Sequence, residues 1–325
     1  MHLPTFLSIG VPAYHEEASI KRALNSILEN TLWKAMSSER KELVVCVNGC
    51  KNGKADATAK VVLELAKQHP EIKVLIEEKA GHIRAKNILA REMSKKADVS
   101  FFFDSDVILR RQTIERLYDA LHTRKDIDLV GAKVMPAEAF ASPTSRGAIA
   151  QKNVEDYHSN QHNSAWQHRV SGCGYAIRTP IIKSITLPEH PMIAEDSYLS
   201  RLIGPKRTLR IPTATVVYRC VRTFADIRRQ RVRYKISDYN LSKLLPKEET
   251  QNKTSQTKRK TLREKLRTFV EDPPKRRLLK LQIMANNGLA ESQANILLGL
   301  NRIGIKANMW KHTSRDKLGK GGKRR

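Results

Sequence analysis

Phe101-Phe102-Phe103-Asp104-Ser105-Asp106 decides how the rest of the chain is read: an apolar run of strand length stops abruptly at two carboxylates spaced i and i+2. Val99 to Phe103 is short, aromatic-rich and bounded by charge, so it reads as a buried strand of a parallel sheet rather than a helix. The carboxyl end of such a strand is where open α/β sheets place their ligands. With Ser105 in the turn, Asp104 and Asp106 both face one crevice, and two hard oxygen ligands suit Mg²⁺ or Mn²⁺. The plainer alternative makes Asp104 a cap for a helix from about Thr113 and leaves Asp106 solvated.

Working outward, the preceding hundred residues alternate strand and helix. Phe6 to Val11 reads as a strand, Pro12 to Glu17 as a loop, and a helix follows from about Ala18 with Ile20, Ala23, Leu24, Ile27 and Leu28 on one face. Leu43 to Val47 is a second strand ending in Asn48-Gly49-Cys50-Lys51-Asn52-Gly53, whose residue types tolerate left-handed backbone. A helix over Ala55 to Gln68 and a strand over Ile72 to Ile76 come next; Lys79 to Asn87 reads as a loop leading into a third helix. This alternation predicts an α/β fold, a mainly parallel sheet with helices on both faces. Beyond Asp106 the spacing predicts a helix over Thr113 to His122, a strand over Asp128 to Val134, and a polar stretch from 136 to 170 containing His158, His162 and His168. A glycine-loosened strand over Ser171 to Arg178 then precedes a helix opened by Glu195 and Asp196, a strand over Thr213 to Tyr218 and a basic helix from about Phe224.

The formal net charge is +27 and the pI about 10.1. Residues 236–325 hold 22 Lys and Arg against 8 Asp and Glu, about half of the whole excess. Such a field favours polyanionic partners: nucleic acid, anionic lipid or phosphorylated substrates. Cys46, Cys50, Cys173 and Cys220 lack the spacing of a zinc site or a disulfide framework, so reduced thiols in a cytoplasmic protein are expected. The N-terminus lacks a basic n-region, and no stretch approaches the roughly 20 apolar residues of a membrane span.

Taken in order, the motifs resemble a family-2 glycosyltransferase over roughly residues 6 to 235. Pro12, Ala13, Tyr14 and Glu16 lie in a stretch like the family's first nucleotide loop. Asn48 opens a stretch like the second, and Gly81 to Asn87 is similar to the loop whose Arg meets the diphosphate. Asp104-Ser105-Asp106 matches the metal motif and Glu195-Asp196 the acidic pair. Gln230 to Tyr234 resembles Gln-x-x-Arg-Trp with Tyr in the last place. The resemblance implies a three-layer GT-A sandwich. It divides into a catalytic domain 1–235, with a nucleotide-sugar half 1–107 and an acceptor half 108–235, followed by a basic helical extension 236–325.

The implied activity is metal-dependent, inverting transfer of a hexosyl or N-acetylhexosaminyl group from a nucleotide sugar, UDP-linked, to a glycan or lipid-linked acceptor. Mn²⁺ or Mg²⁺ rests on Asp104 and Asp106 and stabilises the leaving diphosphate. Arg84 and Lys86 add contacts to it, and Gln230 and Arg233 close over it or hold the acceptor. By the same resemblance Asp196 is the base, and Glu195 orients the site or contacts the acceptor. The chain departs from the family at Val47-Asn48, where the usual carboxylate contact to uracil is absent or made by Asn48. It departs again at His82, where relatives carry Lys, and at Arg219, near the place of a metal-binding His.

Outside the resemblance, Lys247 to Lys260 reads as a charged linker and Leu262 to Val270 as a basic helix stopped by Pro273-Pro274. Arg277 to Met284 and Ala294 to Ile305 read as helices that pack on the catalytic domain, and Lys311 to Arg325 as a basic tail. Such a segment suits peripheral contact with an anionic inner membrane face, at about 1 kcal/mol per Lys or Arg. Two other classes make different demands on the sequence. A nucleic-acid-binding protein predicts interleaved aromatics, yet only 6% of residues are aromatic; no specific nucleic acid is expected. A nucleotidyltransferase of related architecture predicts a glycine-rich loop after the first strand, where this chain has Pro12 to Glu17.

Overall fold

The computed structural model describes residues 2–51, 56–137, 167–189, 193–219, 224–245, 285 and 288–296. Strands β1 (Leu7–Ala13), β2 (Lys41–Asn48), β3 (Ile72–Glu77), β4 (Val99–Phe103), β5 (Ile108–Leu109), β6 (Leu129–Pro136), β7 (Gly174–Arg178) and β8 (Thr208–Tyr218) form one sheet in the order β3-β2-β1-β4-β7-β6-β8-β5. The half from β3 to β4 is parallel, as expected. The other half is mixed: β7 runs antiparallel to both neighbours, β6 pairs parallel with β8, and β5 antiparallel with β8.

β4 lies between β1 and β7, and all five of its residues are buried. Its alternation divides the aromatic run between the two faces of the sheet. Phe101 and Phe103 join the core under α1 (Ile20–Leu28), α3 (Ala57–Gln68) and α5 (Thr113–Thr123). Phe102 faces the other way, stacking on Tyr175 at 5.2 Å beneath α4 (His82–Glu92). Helices on both faces make three layers. On the second face α6 (Thr179–Ser184) and α7 (Glu195–Ile203) join α4, and α8 (Phe224–Leu244) reaches the same core through Leu241.

Local chemistry explains the boundaries. Asp56 caps α3 by accepting from the Ala59 N–H at 2.8 Å. Gln112, not Asp104, is the residue before α5, so the cap reading of Asp104 falls away. Several expectations are corrected. Short α2 (Thr31–Ala35), β5 and α6 carry too few residues to show a period. β7 begins at Gly174, because Ser171 to Cys173 turn back in a bridge with Gly174. β8 begins at Thr208; an irregularity opposite Ala132 and Lys133 lets a strand with Pro212 inside it stay paired with β6. Gly81 to Asn87 is not a loop: Gly81 precedes a helix that starts at His82.

The division at 235 falls inside α8, which continues to Leu244. Val232 and Ile236 of that helix meet Ala290 and Ala294 of a helical stretch over 288–296, and Lys235 pairs with Glu291 at 2.5 Å. This stretch overlaps the helix read over Ala294 to Ile305 at residues 294–296 alone; the rest of that reading, and all of Arg277 to Met284, lie outside the described residues. His158, His162, Cys220, Asn52-Gly53, the linker, Leu262 to Val270, Pro273-Pro274 and the tail lie outside the described residues. No helix among the described residues is long and apolar enough to cross a membrane.

Candidate active site

The parallel strands deliver their following segments to one edge of the sheet, and three buried bracing arrangements hold them there. Asn48 is the first. It is 1% exposed; its Nδ2 donates to the Ala13 carbonyl and its Oδ1 accepts from the Gly81 N–H, each at 2.9 Å. One side chain thus ties the ends of β1 and β2 to the start of α4. Next to it Gly49 has φ +81 with the Tyr14 ring lying against it, 2.4 Å from where a Cβ would stand. Only glycine fits both the backbone and the ring. Tyr14 also contacts His15, whose φ of 53 places a non-glycine residue in left-handed backbone. Glu16 starts α1: its carbonyl accepts from the Ser19 and Ile20 N–H groups, and its carboxylate accepts from the Ser19 hydroxyl. Pro12 and Ala13 are buried in β1 itself.

The second arrangement surrounds Lys86. This lysine is fully buried on the inner face of α4 with Ile83 and Leu89. Its Nζ lies 2.5 Å from Glu195 Oε1, 4.0 Å from Asp104 Oδ1 and 4.7 Å from the centroid of the Tyr175 ring. Glu195 Oε2 also meets His82 Nε2 at 3.3 Å. Burial alone raises a carboxyl pKa, but the Lys86 and His82 charges reverse that and hold Glu195 well below the usual range. His82 is pushed up, its desolvation outweighed by the Glu195 carboxylate.

The third is Gly172. A Cβ there would lie 3.0 Å from Glu195 Oε1 and 3.8 Å from both Asp104 Oδ2 and Asp196 Oδ2, so three carboxylates converge on one glycine. Asp196 Oδ2 accepts from the Gly172 N–H at 2.8 Å, and its Oδ1 from the Ser197 N–H at 2.6 Å. Burial, then the neighbouring Glu195 charge, push the Asp196 carboxyl up. A carboxylate raised in this way is a better proton acceptor than an exposed one.

β4 ends where Asp104 begins, and the Asp104 N–H reaches back to the Cys173 carbonyl at 3.4 Å. Burial pushes Asp104 up to about 6 despite Lys86 and His82 beside it, and its Oδ1 is buried without a hydrogen-bond partner. A buried, unsatisfied carboxylate oxygen fits a hard divalent cation. Asp106 follows one residue past the buried Ser105. No group of three or more His, Cys, Asp or Glu able to hold a metal forms among the described residues. Two carboxylates with phosphate and water completing the shell is the usual Mg²⁺ arrangement. The β5 to β8 register, Ile108 opposite Val217, carries Tyr218 and Arg219 back alongside this turn.

Other expected residues are placed less directly. Arg84 is pinned at the flank, 3.1 Å from Glu77 and 3.3 Å from Glu189. Gln230 donates to the Tyr234 hydroxyl at 3.2 Å, and Arg233 lies over the Tyr234 ring. Both share a helix face with Ser237, whose hydroxyl accepts from the Ala194 N–H at 2.8 Å just before Glu195. Tyr175 and the role of Gly172 were missed from sequence. A lysine in line with Ile83 and Leu89 was the available signal for a buried partner. Cys46 and Cys50 are buried.

A family model described as glycosyl transferase family 2 matches residues 8–181. No curated protein matches the chain. Among solved structures, the mannosyltransferase PcManGT from Pyrobaculum calidifontis, in complex with GDP-Man and Mn²⁺, is similar over 72% of this chain with 17% identity and a TM-score of 0.53. This chain covers 61% of that protein's length. TarS 1–349 from S. aureus, in complex with UDP, aligns over 92% of each chain with 17% identity and a TM-score of 0.49.

Proposed function

This chain belongs to glycosyl transferase family 2 and carries the GT-A fold, and from that premise we propose that it transfers a sugar from a UDP-linked donor to a glycan or lipid-linked acceptor hydroxyl, with inversion. The observation that carries this reading is the convergence of Asp104, Glu195 and Asp196 on Gly172 at the ligand-bearing edge of the sheet.

Asp104 and Asp106 would hold Mn²⁺ or Mg²⁺, which when bound supplies positive charge against the leaving diphosphate. Tyr14 and the backbone around Gly49 offer a surface for the donor base. Arg84, freed from Glu77 and Glu189, together with Gln230 and Arg233 at the start of α8, supplies donors for the diphosphate. Asp196, its two oxygens oriented by the Gly172 and Ser197 N–H groups, takes the proton from the acceptor hydroxyl. Residues up to Leu244 form the catalytic part in this reading, and the basic remainder contacts an anionic membrane. Leu289 and Ile296, 57% and 63% exposed on the outer side of the 288–296 helix, support that contact.

The test is a thermal-shift screen against UDP, GDP and CDP with and without Mn²⁺. A hundredfold excess over Kd stabilises by about 2.7 kcal/mol. That corresponds to roughly 5 to 10 °C for a chain of this size. A Mn²⁺-dependent shift with UDP is expected. No shift with any nucleotide would overturn the reading.

A further inference from the structure

We propose that Lys86 does not touch the donor but is a positioning residue, an internal cation that grips Glu195 and thereby aims the adjoining Asp196. The inference rests on the reading of Asp196 as the base given above.

Lys86 is 0% exposed, so its ammonium has no route to a ligand without leaving its carboxylates. A buried ammonium is tolerated only where the surroundings replace its hydration. Here they come from three elements: Glu195 of α7, Asp104 after β4 and the Tyr175 ring of β7. The lysine therefore ties the start of α7 to the sheet. His82 grips the second Glu195 oxygen, so the side chain is held from both sides. Asp196 is the next residue in the first turn of α7, and its orientation follows that of the backbone Glu195 anchors. Gly172 leaves little slack, because Glu195 Oε1 lies only 3.0 Å from where a Cβ would stand. Without Lys86, Asp104 and Glu195 face each other with only His82 on the far Glu195 oxygen, and Glu195 shifts from its place.

The experiment uses the full chain with Lys86→Met, Glu195→Gln and the double variant. Each single variant strips a buried charge of its nearest partner and is expected to lower the melting midpoint by about 5 °C or more. The double variant should recover at least half of that loss. It should bind UDP with Mn²⁺ no more weakly than wild type. UDP release from UDP-glucose and UDP-N-acetylglucosamine should still fall at least a hundredfold. Hydrogen exchange gives an independent readout: the Gly172 and Ser197 amides, which donate to Asp196, should exchange at least tenfold faster in the double variant.

Additive melting losses would show that the pair does not exist. Unchanged amide protection, or turnover within threefold of wild type in the double variant, would make the pair merely structural and overturn the inference. A tenfold loss of UDP affinity would return Lys86 to the donor. A wild-type protein that ignores every nucleotide would sink the donor reading instead, while the melting and exchange results would still decide the role of Lys86.

Discussion

Replacing Asn48 by alanine removes two buried hydrogen bonds at once and leaves the Ala13 carbonyl and the Gly81 N–H without partners. An orphaned buried polar group costs about 1 to 3 kcal/mol. Ala13 is 1% exposed and bears its full penalty, whereas Gly81 is half-buried and water recovers part of its own. The sum is about 2 to 4 kcal/mol. At roughly 2 to 4 °C per kcal/mol for a chain of this size, the melting midpoint should fall by about 5 to 15 °C. Asn48→Asp keeps the acceptor for Gly81 but turns a carboxylate oxygen toward the Ala13 carbonyl, so it should lose a similar amount. Both variants loosen the segments after β1 and β2 and before α4 together, so UDP affinity with Mn²⁺ should fall alongside stability. Scanning calorimetry and a UDP titration check this. An Asn48→Ala protein that melts within 2 °C of wild type and binds UDP equally well would refute the bracing role.

Asp106→Asn should weaken Mn²⁺-dependent UDP binding, whereas Asp196→Asn should leave it near wild type and lower transfer by about 10²- to 10⁴-fold; isothermal titration and product release separate the two. Gly172→Ala pushes a methyl group against the Glu195 carboxylate and should cut turnover more than UDP affinity; equal turnover would deny the crowding. The folded protein favours protonated Asp104, whose carboxyl is pushed from its ordinary 3.8 up to about 6 by burial, so ionising it costs stability as pH rises through that window. Mn²⁺ competes with the proton, so its binding should strengthen from pH 5 to 7 in wild type and show no such step in Asp104→Asn. A flat wild-type profile, followed by the paramagnetic resonance of free Mn²⁺, would remove Asp104 from the metal site.

What the sequence by itself determined is what local pattern encodes. The alternation of apolar runs and amphipathic stretches placed β1, β2, β3 and β4 and their helices, because a strand buried on both faces and a helix buried on one have different periods. The abrupt end of Phe101-Phe102-Phe103 at Asp104 marked the ligand edge, since carboxylates cannot follow an apolar strand into the core. Direction within the sheet was not legible beyond β4. β7 enters antiparallel between β4 and β6, a pairing settled by contacts between residues far apart in the chain.

The surroundings of the expected site residues were set by the same distant contacts. Asn48, expected at the base, braces three segments, and Arg84, expected at the diphosphate, rests on Glu77 and Glu189. Lys86 and Glu195 are 109 residues apart in the chain yet hydrogen-bonded at 2.5 Å. The free energy of a buried charge depends on which groups surround it in space, and that environment is created only when α4, α7 and the central strands close around it.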